Sequence, residues 1–299
     1  MTKTYEMNLV KLVDLFHSED TCRDYLEELR WPDGATCPRC SHNSVTSIEK
    51  RGQYACNSCD YQFSVTSGTI FHDTHLPLWK WFLATYMMVE SKKGVSALQL
   101  KRTLKVAYKT AWYLCHRIRA AMADGQPMLL RGAVEVDETW IGGRRKNVGH
   151  GFRDNKTMVL GAIQRGGDVR LKKGQRATRK ELHAFIRSTV HPDAEAIYTD
   201  EWPAYRGIGD KNTRHETVNH RIGEYVRGLA HTNSIENVWS LFDRSVMGAF
   251  HHVSEKHLDR YLDELEWRFN NRDNPYLFRE TLKKLLASGN LEYRELTAR

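Results

Sequence analysis

The chain has 299 residues, 40% hydrophobic and 27% charged, with a formal net charge of +8 and a pI near 9.1. That length and mix suit two or three folded units and exclude a fibrous or low-complexity polymer. The longest apolar run, Leu78 to Val89, is interrupted by Lys80 and too short to span a bilayer, and the start MTKTYEMNLV lacks a secretory layout, so a cytoplasmic protein is expected. The surplus of basic charge favours a polyanionic partner.

In chain order, Leu9, Leu12, Val13 and Phe16, then Cys22, Tyr25, Leu26 and Leu29, recur at helical spacing, which predicts two short helices broken near Ser18. The turn signal RWPDG ends them. Next come Cys37-Pro-Arg-Cys40 and Cys56-Asn-Ser-Cys59, with positions 41 to 55 between them. Two CxxC knuckles at that interval place four thiolates around one Zn²⁺, and in a cytosolic chain the spacing argues for metal rather than disulfides. With all four ligands supplied by the protein, the zinc is structural, and His42, His72 and His75 are not needed as ligands. The module reads either as a DNA contact or as a mediator of protein contacts.

From LPLWKWFLATYMMVE to Met122 the pattern is helical again, with Trp79 and Trp81 read as core. Helices over 96–103 and 107–122 flank a short turn. Ala111, Leu114, Cys115, Ile118 and Met122 form one face of the second, and Lys105, Lys109, Arg117 and Arg119 fall outside it. That layout fits a helix-turn-helix with basic residues on phosphates, and equally a plain helical hairpin with a solvated basic surface. GQP, residues 125 to 127, reads as a linker.

Beyond it the texture becomes strand-like. AVEVDETWIGG, TMVLGAIQRGGDVRL and AEAIYTDEW read as strands, ATRKELHAFIRSTV as a helix, and 232–248 and 254–272 as closing helices. Alternation places Val134 and Val136 on one face of the first strand and Glu135 and Asp137 on the other. Asp200 ends an apolar run, and Glu236 borders the apolar stripe of Ile235, Val238, Trp239, Phe242 and Val246. Singly, each acid has a dull explanation, turn residues for the aspartates and a capping box of Asn233 with Glu236 for the third. Two basic stretches, RRKNVGHGFR with Arg144, Arg145 and Lys146, and RLKKGQRATRK with Lys172 and Lys173, read as solvated loops or as phosphate contacts.

The segments RWPDGATCPRC, CNSCDYQFSVTSGTIFH, VDETWIGG, YTDEWPAY, HTNSIENVWS and HHVSEKHLDRYLDELEWRFNNR, in this order from about Ser18 to Asn274, resemble the zinc-ribbon-bearing DDE transposases of bacterial insertion sequences. The resemblance implies an RNase H-like α/β core, a five-stranded mixed sheet flanked by helices. The acids Asp137 on the first strand, Asp200 after the fourth and Glu236 on a following helix would hold two Mg²⁺ or Mn²⁺ ions. Glu135, Glu138 and Glu201 would lie outside the trio or in solvent. The implied activity is binding of terminal inverted repeats of double-stranded DNA, cleavage and strand transfer, by at least a dimer on DNA.

One departure is Asp243, seven residues after Glu236, where the family commonly has a lysine. It keeps open a catalytically idle DNA-binding protein derived from a transposase, beside a third reading as an RNase H-like nuclease or resolvase. The expected organisation is an N-terminal helical segment (1–30), a zinc ribbon (31–73), a helix-turn-helix-like region (74–126), the catalytic domain (127–285) and a tail (286–299).

Overall fold

Helix formation begins where short polar side chains replace missing backbone partners. Asn8 accepts from the Lys11 amide at 2.9 Å and starts α1 (Leu9–Leu15). Ser18 and Thr21 exchange bonds in a capping box that starts α2 (Glu19–Arg30), so the expected break falls at the capping residue. The computed structural model describes residues 6–142, 156–218 and 231–298. It divides into two compact units: the chain before Asp124 together with the chain from Arg272 onward, and Asp124–Asn271.

In the first unit, an antiparallel ribbon of β1 (Val45–Ile48), β2 (Gln53–Cys56) and β3 (Gln62–Phe63) follows α2. Trp31, Tyr54 and Phe63 pack edge-on or stacked 5.6–5.7 Å apart beside it. Then come α3 (Leu78–Glu90), α4 (Ala97–Leu104) and α5 (Tyr108–Met122). The first turn of α3 has no cap of its own. The Glu19 carboxylate on α2 accepts from the Leu78 amide instead, at 2.8 and 3.0 Å. Ser96 caps α4, and Lys105, with φ +53°, closes it. Trp81 is buried as expected, whereas Trp79 is 40% exposed, because it lies on the outer side of the α3 turn whose inner side carries Leu78, Trp81 and Phe82.

The C-terminal residues belong here, which corrects the expected domain limits at 285 and 286. α9 (Leu277–Ala287) packs against α2, α3 and α5, and its Phe278 joins Phe16 and Phe82 in one aromatic cluster. α10 (Tyr293–Thr297) buries Leu296, and the Tyr113 hydroxyl donates to the Leu291 carbonyl. Residues 286–298 are therefore anchored to the first unit through the buried Leu286 and Leu296.

In the second unit, β4 (Ala133–Ile141), β5 (Thr157–Gln164) and β6 (Val169–Gly174) form an antiparallel meander. β7 (Ala196–Asp200) and β8 (Arg214–Val218) run parallel to β4 on its other side. The order β6-β5-β4-β7-β8 puts the first strand in the centre, the RNase H-like arrangement. Val134, Val136, Leu160 and Ala162 face α6 (Arg179–Thr189) through Leu182, Phe185 and Ile186. The opposite face, with Val159, Ile163 and Val169, packs on α7 (Asn233–Ser245) and α8 (Leu258–Asn270) through Ile235, Val238, Trp239, Phe242, Leu262 and Leu265. Five-stranded pleating thus turns every second residue of β4 toward α7. No helix of the described residues is long and apolar enough to cross a membrane.

Candidate active site

Two sites can be built from these elements. In the ribbon, the sulfurs of Cys37 and Cys59 are 3.8 Å apart and those of Cys40 and Cys56 3.5 Å, and all four lie within 4.8 Å of one another. A tetrahedral zinc with bonds of about 2.3 Å spaces its sulfurs about 3.8 Å apart, so the quartet fits that ion. The residue after each knuckle, Ser41 and Asp60, takes a left-handed φ of +60° and +55°. Those reversals let the Cys37 and Cys56 carbonyls accept from the Ser41 and Asp60 amides and fold each pair of thiols inward.

The second site lies on the α7 side of the sheet. Asp137 stands on central β4, and its Oδ2 accepts from the Trp239 Nε1–H of α7 at 2.9 Å. Gly161 is directly across the strand pair, and a Cβ there would sit 2.5 Å from the Trp239 ring and 2.8 Å from Ile235. A glycine at that position is what lets the indole lie across β5 to reach the acid. Burial pushes the Asp137 carboxyl up to about 7. The charge of Glu138 adds to this, the Trp239 bond opposes it, and the charge of Asp200 adds again.

Asp200 ends β7, half-buried, with Oδ1 accepting from the Trp202 amide at 3.0 Å. The β4–β7 pairing sets Glu135 opposite Tyr198, and Asp137 and Asp200 each lie two residues further along. Glu236 stands in the first turn of α7, exposed, with Oε1 accepting from the Thr232 hydroxyl at 2.9 Å. Among the described residues, the cysteine quartet is the group of three or more ligand-type side chains gathered within 4.8 Å, and Asp137, Asp200 and Glu236 are not gathered in that way.

The start of α7 departs from the expected capping box. Asn233 is the first helical residue, and Thr232, at the capping position, makes no side-chain capping bond to the helix. The Ser234 and Ile235 amides donate instead to Glu135 Oε2, at 2.7 and 3.1 Å. Glu135 is 0% exposed and Glu138 accepts from the buried Tyr205 hydroxyl on the other face, so neither is a solvated neighbour. The sequence reading missed Trp239 as a partner of Asp137, and of its two alternatives for Glu135, outside the trio or in solvent, burial removes the second. The signal for Glu135 was present, since alternation gives it the same face as Asp137.

The expected basic contacts divide. Lys105 and Lys109 are exposed, with Lys109 Nζ 4.2 Å from the Tyr293 ring centre. Arg117 and Arg119 are 4% and 2% exposed, which removes them from any DNA-facing surface. The reason is that α5 is covered by α4 on one side and by α3 and α9 on others. Arg117 donates to the His72 carbonyl at 2.7 Å and to Asn290 Oδ1 at 3.2 Å, with its guanidinium over Trp81 and Tyr113. Lys172 is exposed on β6, while Lys173 donates to the Glu255 carbonyl and lies 3.8 Å from Asp259, so it serves the β6–α8 contact. Arg144, Arg145 and Lys146 lie outside the described residues.

A four-cysteine ribbon thus precedes an RNase H-like sheet domain, the order of parts expected of a zinc-ribbon transposase. The family models agree: residues 129–270 match the ISXO2-like transposase domain and residues 17–62 the transposase zinc-ribbon domain, both of the IS1595 group. A transposase-like protein of Haemophilus influenzae is 32% identical over 92 residues, 31% of this chain and 72% of that one. A protein of the transposable element ISH50 of Halobacterium salinarum is 29% identical over 296 residues, covering 92% of this chain and 98% of that one. The chain belongs to the IS1595 family of transposases. Among solved structures it is also similar to the Mos1 strand transfer complex, at 12% identity and a TM-score of 0.31, over 69% of this chain and 75% of that one.

Proposed function

We propose that the chain binds the terminal inverted repeats of an insertion sequence and, at Asp137, Asp200 and Glu236, catalyses their cleavage and transfer to a target. The observation that carries this reading is the placing of Asp137, which is fixed by the Trp239 bond on the central strand beside the end of β7. The donor set fits Mg²⁺ or Mn²⁺, which prefer carboxylate and water oxygens. Burial first, and then the charges of Glu138 and Asp200, raise the Asp137 pKa, and a bound cation would offset that cost of ionisation. Two such ions, when bound, activate the attacking oxygen and stabilise the leaving one in an in-line displacement.

In this reading Asp137 and Asp200 hold their oxygens at the ends of neighbouring strands, and Glu236 turns from Thr232 toward them. Water serves as the first nucleophile and the freed 3′-hydroxyl as the second, with no covalent protein–DNA intermediate. Pairing two ends requires at least a dimer on DNA. Among the described candidates, Lys105, Lys109 and Lys172 are exposed and would meet phosphates.

An assay with a labelled end-containing duplex and Mg²⁺ tests the reading. Wild-type protein is expected to give joined products, and Asp137→Asn to lose at least about a thousandfold in rate while still binding the duplex. Cleavage retained in Asp137→Asn would falsify the assignment, and cleavage without joining favours a nuclease. Asp243, exposed in a cavity of about 780 Å³ with Lys156, His251 and His252, favours the idle DNA-binding alternative, for which binding without cleavage by wild type is the mark.

A further inference from the structure

We propose that Glu135 is a positioning residue that sets where Glu236 stands; this role rests on the reading of Glu236 as a metal ligand. A helix begins with unpaired amides, normally met by its own capping side chain. In α7 that task has passed to a strand residue about a hundred positions earlier. Glu135 Oε2 takes the Ser234 and Ile235 amides, and Oε1 takes the Ser234 hydroxyl at 3.0 Å and Arg165 Nε at 2.7 Å. The second carboxylate oxygen is thereby committed, with His231 Nδ1 also 3.1 Å away. Arg165 is held in turn: it donates to the His231 carbonyl at 2.9 Å and lies over the Tyr198 ring at 4.1 Å. The pair therefore joins β4, the end of β5, β7 and the first turn of α7.

A buried ion pair is weak evidence of stability by itself. Its place is what matters. Glu135 and Asp137 share one face of one strand, so the same backbone that fixes Asp137 fixes the start of α7. Trp239 fixes the helix again one turn later, through Asp137. Glu236 lies between these two attachments, and the Thr232 carbonyl accepts its amide at 3.1 Å. Its backbone has little room to shift, so its carboxylate is presented from a fixed position.

Two measurements on the zinc-loaded full chain test the role. The first needs no variant: amide hydrogen exchange at Ser234 and Ile235. In an ordinary helix these first-turn amides exchange quickly, whereas here protection within about tenfold of Val238 and Phe242 is expected. Exchange near the unstructured rate overturns the proposal. The second is the Mn²⁺ concentration giving half-maximal cleavage by Glu135→Gln, which keeps the size of the side chain but not its charge.

That concentration is expected to rise about 10- to 100-fold, as for other partners of metal ligands, with the rate recovering at saturating Mn²⁺ and duplex affinity unchanged. A requirement within twofold of wild type overturns the role, as does a lost rate that Mn²⁺ does not restore. Should Glu135→Gln fail to fold, Ser234→Ala, which removes one bond of the four, is expected to raise the requirement about threefold, and no rise overturns the role. Wild-type protein that cleaves nothing overturns the underlying reading instead, and leaves its mark on the cleavage assay rather than on the exchange of Ser234 and Ile235.

Discussion

The cysteine ribbon and the carboxylate site solve the same problem, gathering like-charged donors, in opposite ways. The ribbon collects its four sulfurs through two tight local reversals at Ser41 and Asp60, each one residue past a CxxC knuckle. The proposed carboxylate site would collect Asp137, Asp200 and Glu236 from three elements of a large sheet domain, with Gly161, Trp239 and Glu135 setting α7 against β4 and β5. A locally built site depends on its ion; a site spread over a fold depends on the fold. Chelation and core substitution should therefore affect the two regions in opposite order.

Removing zinc has the greatest consequence. Structural zinc binding in small modules amounts to about 10 kcal/mol or more of folding free energy, so a chelator or Cys56→Ser is expected to unfold β1, β2 and β3. Amide exchange should show those strands losing protection while β4 to β8 keep theirs. Equal loss in both units would mean that the ribbon is not an independent metal-dependent element.

Glu266 gives a pH-dependent effect confined to the second unit. It lies on α8, where it accepts from the Leu171 amide at 2.9 Å and sits 3.6 Å from Arg170. Burial pushes its carboxyl up to about 7, against the pull of the Leu171 bond and the Arg170 charge. The folded chain thus holds this proton more tightly than the unfolded chain does. The associated stability is full below the ordinary carboxyl range and is lost as pH rises through about 7. Converted at about 1.4 kcal/mol per pKa unit, the effect is at most about 3.5 kcal/mol. Melting curves between pH 5 and 8 should fall for wild type and fall less steeply in Glu266→Gln, where Asp137 keeps its own share of the slope; parallel curves would contradict this.

Gly161→Ala tests the close approach at the carboxylate site. The new Cβ must displace the Trp239 ring, at a cost of about 1–3 kcal/mol. Tryptophan fluorescence and thermal melting should both change, while zinc content stays at one per chain. An unshifted melting temperature would show that α7 moves freely over the sheet.

The smallest effects concern the basic residues of the helical region. Lys105→Ala is expected to weaken duplex binding a few-fold and to lower the salt slope by about 1, with no change in melting. Arg117→Ala should lower the melting temperature through the lost bonds to His72 and Asn290 and leave the salt slope alone. The reverse pattern would return Arg117 to a DNA-facing role.

What could be read from the sequence follows the same division. The cysteine quartet was legible because its geometry is set within a few residues of each thiol. Strand alternation correctly separated Val134 and Val136 from Glu135 and Asp137, because pleating is also local. Arg117 and Arg119 were misread because α5 is covered by α9, which arrives more than 150 residues later, and helical periodicity does not show a second or third covering partner. Glu135 was set aside for the same reason. Its role depends on the amides of Ser234 and Ile235, a hundred positions away, which the local pattern around Asn233 and Glu236 gave to a nearby cap.

The claim that Asp137, Asp200 and Glu236 form one metal site is open to a single measurement, anomalous diffraction from crystals of the zinc-loaded protein grown with Mn²⁺. Manganese is expected within about 2.3 Å of a carboxylate oxygen from each of the three residues, and absent from that position in Asp137→Asn crystals. Manganese bound elsewhere, or Glu236 still turned to Thr232 when the ion is present, would contradict it.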